Sequence, residues 1–108
     1  MKIEKIETFQ VQWSPKDTPA QRSAFVRIRT DDGLHGIGEV SPMQGGLASL
    51  LMIVHNIAPA LIGADPLDHA VIQDRLIHKL VKLGPEGALT GALAGIDIAL
   101  WDLKGKAF

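Results

Sequence analysis

The segment from Glu86 to Lys104 constrains the fold more than any other part of the chain. At about 100° per residue, Leu89, Leu93, Ile96, Leu100 and Leu103 form one apolar stripe of a helix. The opposite side is not polar: it holds Gly87, Gly91, Ala94, Gly95 and Ile98, with Trp101 beside them. A helix that is apolar on nearly all sides is buried on nearly all sides. Each interior glycine costs about 1 kcal/mol of helix propensity relative to alanine, so three at a spacing of four mark a flat ridge for close backbone approach. Asp97, Asp102 and the helix length exclude the membrane version of such a ridge. With 108 residues the chain has one modest core, which covers one side of this helix. A further domain or subunit is expected on the other side.

Composition excludes several function classes. Eleven basic residues face twelve acidic ones, so no basic surplus points to nucleic acid or anionic lipid. The absence of cysteine excludes disulfides and thiolate metal sites and is compatible with the cytoplasm, the expected location. Met1 to Lys5 carries no apolar run of the kind a signal peptide needs. Val40 to Ala64 is free of Asp, Glu, Lys and Arg, but its dense apolar part, Leu47 to Val54, is far short of the roughly 20 residues that span a bilayer. It reads as a buried helix of a soluble protein. A (β/α)₈ barrel needs at least about 200 residues, so no barrel fits in this chain.

The pattern predicts an α+β fold, a three-stranded antiparallel meander followed by helices. Phe9, Val11 and Trp13 alternate with Thr8, Gln10 and Gln12, the period of a half-buried strand. After a loop broken by Pro15 and Pro19, a second strand runs from about Ser23 to Thr30, with Ala24, Val26 and Ile28 on one face. Asp31-Asp32-Gly33 is a hairpin turn, and a third strand runs from Leu34 to about Val40. Gly36 and Gly38 share a face of it, where something must approach the backbone closely. The first helix has the stripe Leu47, Leu50, Leu51 and Val54, and Pro59 ends or kinks it. Asp65-Pro66 opens the second helix, Lys79 and Lys82 suit its negative end, and Gly84-Pro85 stops it. The last helix is expected over about 86–104, with Gly105 as its stop.

No strong catalytic constellation stands in the chain. His35, His55, His69 and His78 lack metal-ligand spacing and read as surface or satisfied core histidines, His35 being the one beside two glycines. There is no nucleophile elbow, phosphate loop or dinucleotide fingerprint. Asp97 and Asp102 lie about 140° apart on the helix, so they are expected to orient backbone or pair with Lys104 or Lys106 rather than hold a metal. Glu39 reads as a buried acceptor, with a site-lining role as the alternative. Two loops remain, Ser14 to Arg22 and Ser41 to Gly46. In a meander they leave the same end of the sheet, where ligand contacts concentrate.

Two stretches carry a resemblance. Val26-Arg27-Ile28-Arg29-Thr30-Asp31-Asp32-Gly33-Leu34-His35-Gly36-Ile37-Gly38-Glu39 resembles the hairpin of the N-terminal domain in the mandelate racemase/muconate lactonizing branch of the enolase superfamily. Gly91 to Ala107, with Asp97-Ile98-Ala99-Leu100-Trp101-Asp102-Leu103-Lys104-Gly105-Lys106, is similar to the helix that leads from that domain into the barrel. The order of elements also matches, and the likeness covers nearly the whole chain.

The resemblance implies an α+β capping domain, here residues 1–108, that serves a (β/α)₇β barrel absent from this chain. In that family the barrel supplies three carboxylates for Mg²⁺ and the Lys or His acid/base groups. The shared step removes a proton α to a carboxylate. None of those ligands or acid/base residues matches a position here, so this chain alone is expected to be neither catalytic nor metal-binding, a piece of a larger enzyme. The cap supplies two loops that close over the barrel mouth, matching Ser14 to Arg22 and Ser41 to Leu47. The implied substrate-binding residues are Ser14, Lys16, Asp17, Arg22, Met43 and Gln44. Lys16, Asp17 and Arg22 suit a hydroxylated anionic substrate such as a sugar acid, whereas Met43 suits an apolar group. The implied reaction is that of an acid-sugar dehydratase or racemase, with a muconate-type cycloisomerase or dipeptide epimerase as alternatives. The implied partners are a small carboxylate substrate, the barrel or another subunit against the last helix, and like copies in a homo-oligomer. A stand-alone α+β interaction module is the competing class.

Overall fold

The computed structural model describes residues 1–14, 16–17, 19–40, 46–80 and 88–108. Three strands, β1 (Ile3–Trp13), β2 (Gln21–Thr30) and β3 (His35–Val40), form an antiparallel sheet in the order β1-β2-β3. The β2–β3 turn is tied by Thr30, whose amide donates to the Leu34 carbonyl at 2.9 Å while its hydroxyl accepts from the Leu34 amide at 3.1 Å. Gly33 supplies the positive φ of 91° that closes this turn. At the other margin, Ile3 exchanges main-chain bonds with Gly63 and Ala64, both at 2.8 Å, which covers the start of β1.

Among the described residues, four α-helices follow on one face of the sheet: α1 (Leu47–Met52), α2 (Ala58–Leu61), α3 (His69–Leu80) and α4 (Ala88–Ala107). The molecule is 19 Å through its thinnest dimension, the depth of one sheet and one helical layer. Ala24, Val26, Ile28 and Val40 from the sheet meet Ile53, Ile57, Leu61, Ile72, Leu76, Ile96, Leu100 and Leu103 in a single core.

α4 lies directly on β3. A Cβ on Gly38 would sit 2.8 Å from the Ala99 nitrogen and closer still to the Gly95 carbonyl, and one on Gly36 would sit 2.9 Å from the Leu103 nitrogen. The glycines of β3 and the buried Gly95 of α4 thus let two backbones meet. The close approach expected of Gly36, Gly38 and Gly95 is therefore made between two elements of this chain. Gly87 lies outside the described residues.

Several expectations need correction. Phe9, Val11 and Trp13 lie on the face turned away from the helices, because they share faces with Phe25, Ser23 and Gln21 across the register. Ile6, Thr8 and Gln10 face inward with Ile28, Val26 and Ala24 instead. The outer face has its own cover: Phe9 and Phe25 stack with centroids 5.3 Å apart, and Arg27 lies 5.8 Å over Phe9. Arg27 donates two bonds of 3.2 Å to Glu7, and Arg29 pairs with the same carboxylate at 2.6 Å. Those guanidinium bonds hold the Glu7 carboxyl below its ordinary range. Glu39 is exposed on this face opposite Phe25, not a buried acceptor.

In α1 the leucine stripe is split. Leu50 is buried, whereas Leu47, Leu51 and Val54 are exposed. The buried row is Leu50, Ile53, Ile57 and Leu61. Pro59 does not end the helix; a widened π turn, Ile53–Ile57, precedes it and the chain stays helical to Leu61. A π turn shifts the hydrogen-bond register, which fits a missing proline donor. Asp65 caps a preliminary turn, accepting from the Leu67 amide at 2.9 Å, and α3 itself begins at His69. Lys82, Gly84-Pro85 and the expected start of the last helix at Glu86 lie outside the described residues. α4 runs through Gly105 to Ala107 rather than stopping there.

Candidate functional site

The register fixes the geometry of the two loops. Trp13 pairs with Gln21, whereas β3 ends with Val40 opposite Ala24. The β1–β2 hairpin therefore overhangs β3 by three residue pairs, or about 10 Å at the usual strand rise. Among the described residues, 14, 16–17 and 19–20 belong to its tip. Val40 ends at the root of this overhang, so both loops leave the same end of the sheet as expected. Of the six expected substrate-binding residues, Ser14, Lys16, Asp17 and Arg22 are described and all are exposed. Met43 and Gln44 lie outside the described residues.

Arg22 pairs with Gln12 and continues the inward row of Ala24, Val26 and Ile28. It stands two residue pairs beyond Val40, on the helix side of the sheet, beside the point from which the second loop departs. Lys16 and Asp17 form the turn of the tip, and Asp17 has a φ of 63° there. Asp is one of the few side chains that tolerate that conformation. Gln21 Nε2 donates to the Pro19 carbonyl at 3.4 Å, bracing the returning limb. The tip thus presents two cations, an anion and a hydroxyl to solvent, a set able to hydrogen-bond a polyhydroxylated carboxylate.

A second constellation escaped the sequence reading. His69 at the start of α3 bonds through Nε2 to Asp97 of α4, and its ring lies 4.7 Å from that of Trp101. Lys104 Nζ stands 4.9 Å over the Trp101 ring. Leu67, His69, Val71, Trp101 and Lys104 line an open groove of about 410 Å³. The signal available was the spacing of four between Asp97 and Trp101, which puts both on the side of α4 that meets α3. The expected lysine partner of Asp97 is thus replaced by His69. Asp102 does behave as expected, accepting from the Ile37 amide at 2.9 Å and pairing with Lys106 at 3.0 Å. The Ile37 amide is the main cause that holds its carboxyl below the ordinary value of 3.8.

Among the described residues, no group of three or more His, Asp or Glu side chains converges to hold a metal ion. Among the same residues no helix is long and apolar enough to cross a membrane.

A family model described as mandelate racemase / muconate lactonizing enzyme, N-terminal domain, matches residues 4–108. The chain belongs to this family. A D-galactonate dehydratase of Verminephrobacter eiseniae (strain EF01-2) is 37% identical over 109 residues, which cover 99% of this chain and 25% of the relative. Two solved structures of enolase-superfamily members align closely. A mandelate racemase/muconate lactonizing protein from Paracoccus denitrificans PD1222, complexed with magnesium, has a TM-score of 0.86 and 56% identity over 98% of this chain and 27% of its own. The 3,6-anhydro-D-galactonate cycloisomerase from Zobellia galactanivorans has a TM-score of 0.83 and 30% identity over 99% of this chain and 29% of its own. The chain thus spans about a quarter of the length of the curated relatives it matches. A meander followed by helices is the N-terminal fold of this family, and the barrel of the enolase superfamily is not within it.

Proposed function

We propose that this domain is the specificity cap of an enzyme that removes a proton α to a carboxylate, of the acid-sugar dehydratase or racemase type. The observation that carries the reading is the overhanging β1–β2 tip, which holds Ser14, Lys16, Asp17 and Arg22 away from the core and beside the departure of the second loop. Similarity to a D-galactonate dehydratase supports a sugar acid as substrate. Lys16 and Arg22 then meet the carboxylate or its neighbouring hydroxyls, and loop closure excludes water from the reacting carbon. The chemistry belongs to the barrel of the full-length protein, which on this reading also holds Mg²⁺. The likeness to a cycloisomerase acting on 3,6-anhydro-D-galactonate favours a second reading, an intramolecular ring opening or closure on a related acid sugar.

Packing supports the cap over a stand-alone module. Ala94, Ile98 and Trp101 form an exposed apolar row on α4, Ile98 and Trp101 being 49% and 56% exposed. We assign this row to the contact with the barrel or another subunit. Ultracentrifugation of the isolated chain with a hydrophobic dye discriminates the two: dye binding and association fit a cap, and a dye-silent monomer fits a module.

The direct test assays the full-length polypeptide against a panel of sugar acids, muconate and dipeptides. Turnover of a sugar acid is expected, with Arg22→Ala lowering kcat/KM at least tenfold and leaving unfolding unchanged. Turnover confined to muconate or dipeptides, or an Arg22→Ala enzyme as efficient as its parent, refutes the reading.

A further inference from the structure

β3 is an edge strand. β2 pairs with one side of it, and among the described residues no strand pairs with the other. Such an edge offers main-chain donors and acceptors to any incoming strand. The Ile37 amide points away from β2, since it donates to Asp102 Oδ2 at 2.9 Å. Alternation by two places the main-chain groups of His35 and Glu39 on the same free edge. The His35 carbonyl accepts from Lys106 Nζ at 2.8 Å. One donor and one acceptor of the edge are therefore held by side chains of α4, at the positions a new strand would need. Asp102 and Lys106 also bond each other at 3.0 Å, so neither cation nor anion is left over.

The arrangement follows from the small residues. Gly95, Ala99, Asp102 and Lys106 fall within about 60° of one another around the helix. The first two meet the backbone of β3 at Gly38 and Gly36. That contact sets the depth of α4, and the two charged side chains one turn on then reach round the strand margin.

We propose that Asp102 and Lys106 form a lock on the free edge of β3, and that the occupant the lock excludes is the β3 edge of a second copy of this chain. β3 suits self-pairing. An antiparallel pair centred on Ile37 sets Ile37 against its twin and His35 against Glu39, an apolar contact flanked by two polar matches. Gly36 and Gly38 add no bulk between them.

The test compares the full-length polypeptide with its Asp102→Ala, Lys106→Ala double variant by amide hydrogen exchange and by sedimentation over a range of concentrations. The lock predicts at least tenfold faster exchange at Ile37 with no change at Val26, together with a species of twice the parent's own assembled mass that grows with concentration. Unchanged exchange at Ile37 overturns the proposal. So does faster exchange without any gain in mass, because the freed edge then takes no strand. Faster exchange at Val26 as well marks general loosening and also counts against a local lock. Asp102→Asn keeps an acceptor oxygen for Ile37 and is expected to behave as the parent. If the double variant does not fold, Lys106→Ala alone spares the Ile37 bond and frees the His35 carbonyl, and sedimentation carries the test: no gain in mass overturns the proposal.

Discussion

A single methyl group at position 38 measures how tightly α4 is seated. In Gly38→Ala the new Cβ falls 2.8 Å from the Ala99 nitrogen and 3.0 Å from the Gly95 carbonyl carbon. Comfortable contacts between such atoms lie near 3.5–4.0 Å, and the Gly95 carbonyl oxygen stands closer still, so the helix has to retreat by at least about 1 Å. The atoms in the way are backbone, and no rotamer change relieves them. A gap of that size forfeits up to about half of the dispersion energy of the facing atoms. Overpacking of this kind costs about 1–3 kcal/mol, and the rigid contact puts Gly38→Ala at about 3 kcal/mol. A domain of this length holds about 5–15 kcal/mol in all, so the loss is a large share of it. The matching fall in Tm is about 12–24 °C. Urea unfolding followed by circular dichroism reads the first quantity, and a thermal melt reads the second. Gly105→Ala is the paired control: a Cβ there meets nothing within 4 Å, and in a helix the change should gain about 0.5–1 kcal/mol. If Gly38→Ala unfolds within 1 kcal/mol of its parent while the urea slope is unchanged, the backbone contact between β3 and α4 is wrong.

Other substitutions separate the faces and the charges. Ile57→Ala removes a fully buried side chain and should cost about 2–5 kcal/mol, whereas Leu51→Ala, half exposed, should cost under about 1 kcal/mol in the isolated domain; equal losses by urea unfolding would sink the assignment of the buried row. Asp102→Ala should cost about 1.5–3 kcal/mol through the charge-assisted bond to Ile37, read by the same assay. Because the folded pKa of Asp102 is lowered from 3.8, its contribution is complete above that value and is lost as the pH falls through the lower folded value. Asp102→Asn should therefore lack that part of the acid limb in stability measured between about pH 5 and 2. Glu7→Gln should leave the urea midpoint nearly unchanged, and more nearly so in high salt, because the carboxylate and both arginines reach solvent.

The elements that were legible from the chain are those where one physical demand admits one answer. Gly36 and Gly38 on one strand face, and Gly95 on a helix, require a close partner: Gly38 meets Gly95 and Ala99, and Gly36 meets Ala99 and Leu103. Asp31-Asp32-Gly33 requires a tight turn and makes one. What was illegible is the choice between equivalent faces. Phe9, Val11 and Trp13 alternate as a core face does, but alternation only separates two faces and says nothing about which is inward. The stack of Phe9 on Phe25 and the guanidinium above it allow the aromatic face to remain outside. In α1, the rows through Leu47 and through Leu50 both have helical spacing, and the π turn then shifts the phase so that Ile57 and Leu61 continue the second. Of the candidate site, its placement at one sheet end followed from the meander. The His69–Asp97 pair did not, since it joins residues far apart in sequence whose meeting depends on how α3 packs on α4.

The overhang of the β1–β2 hairpin separates inheritance from novelty. Its last three residue pairs are held chiefly by main-chain bonds, which any side chain but proline permits. Residues 14–20 can therefore be exchanged or lengthened without touching Ala24, Val26 or Ile28, and doubling such a loop costs only about 0.6 kcal/mol. The ground beneath it is the opposite case, a glycine seam between β3 and α4 that tolerates not one methyl group. In such a molecule, evolutionary change is cheap at the tip and nearly forbidden at the seam, so lineages can diversify what the tip meets while the scaffold stays the same.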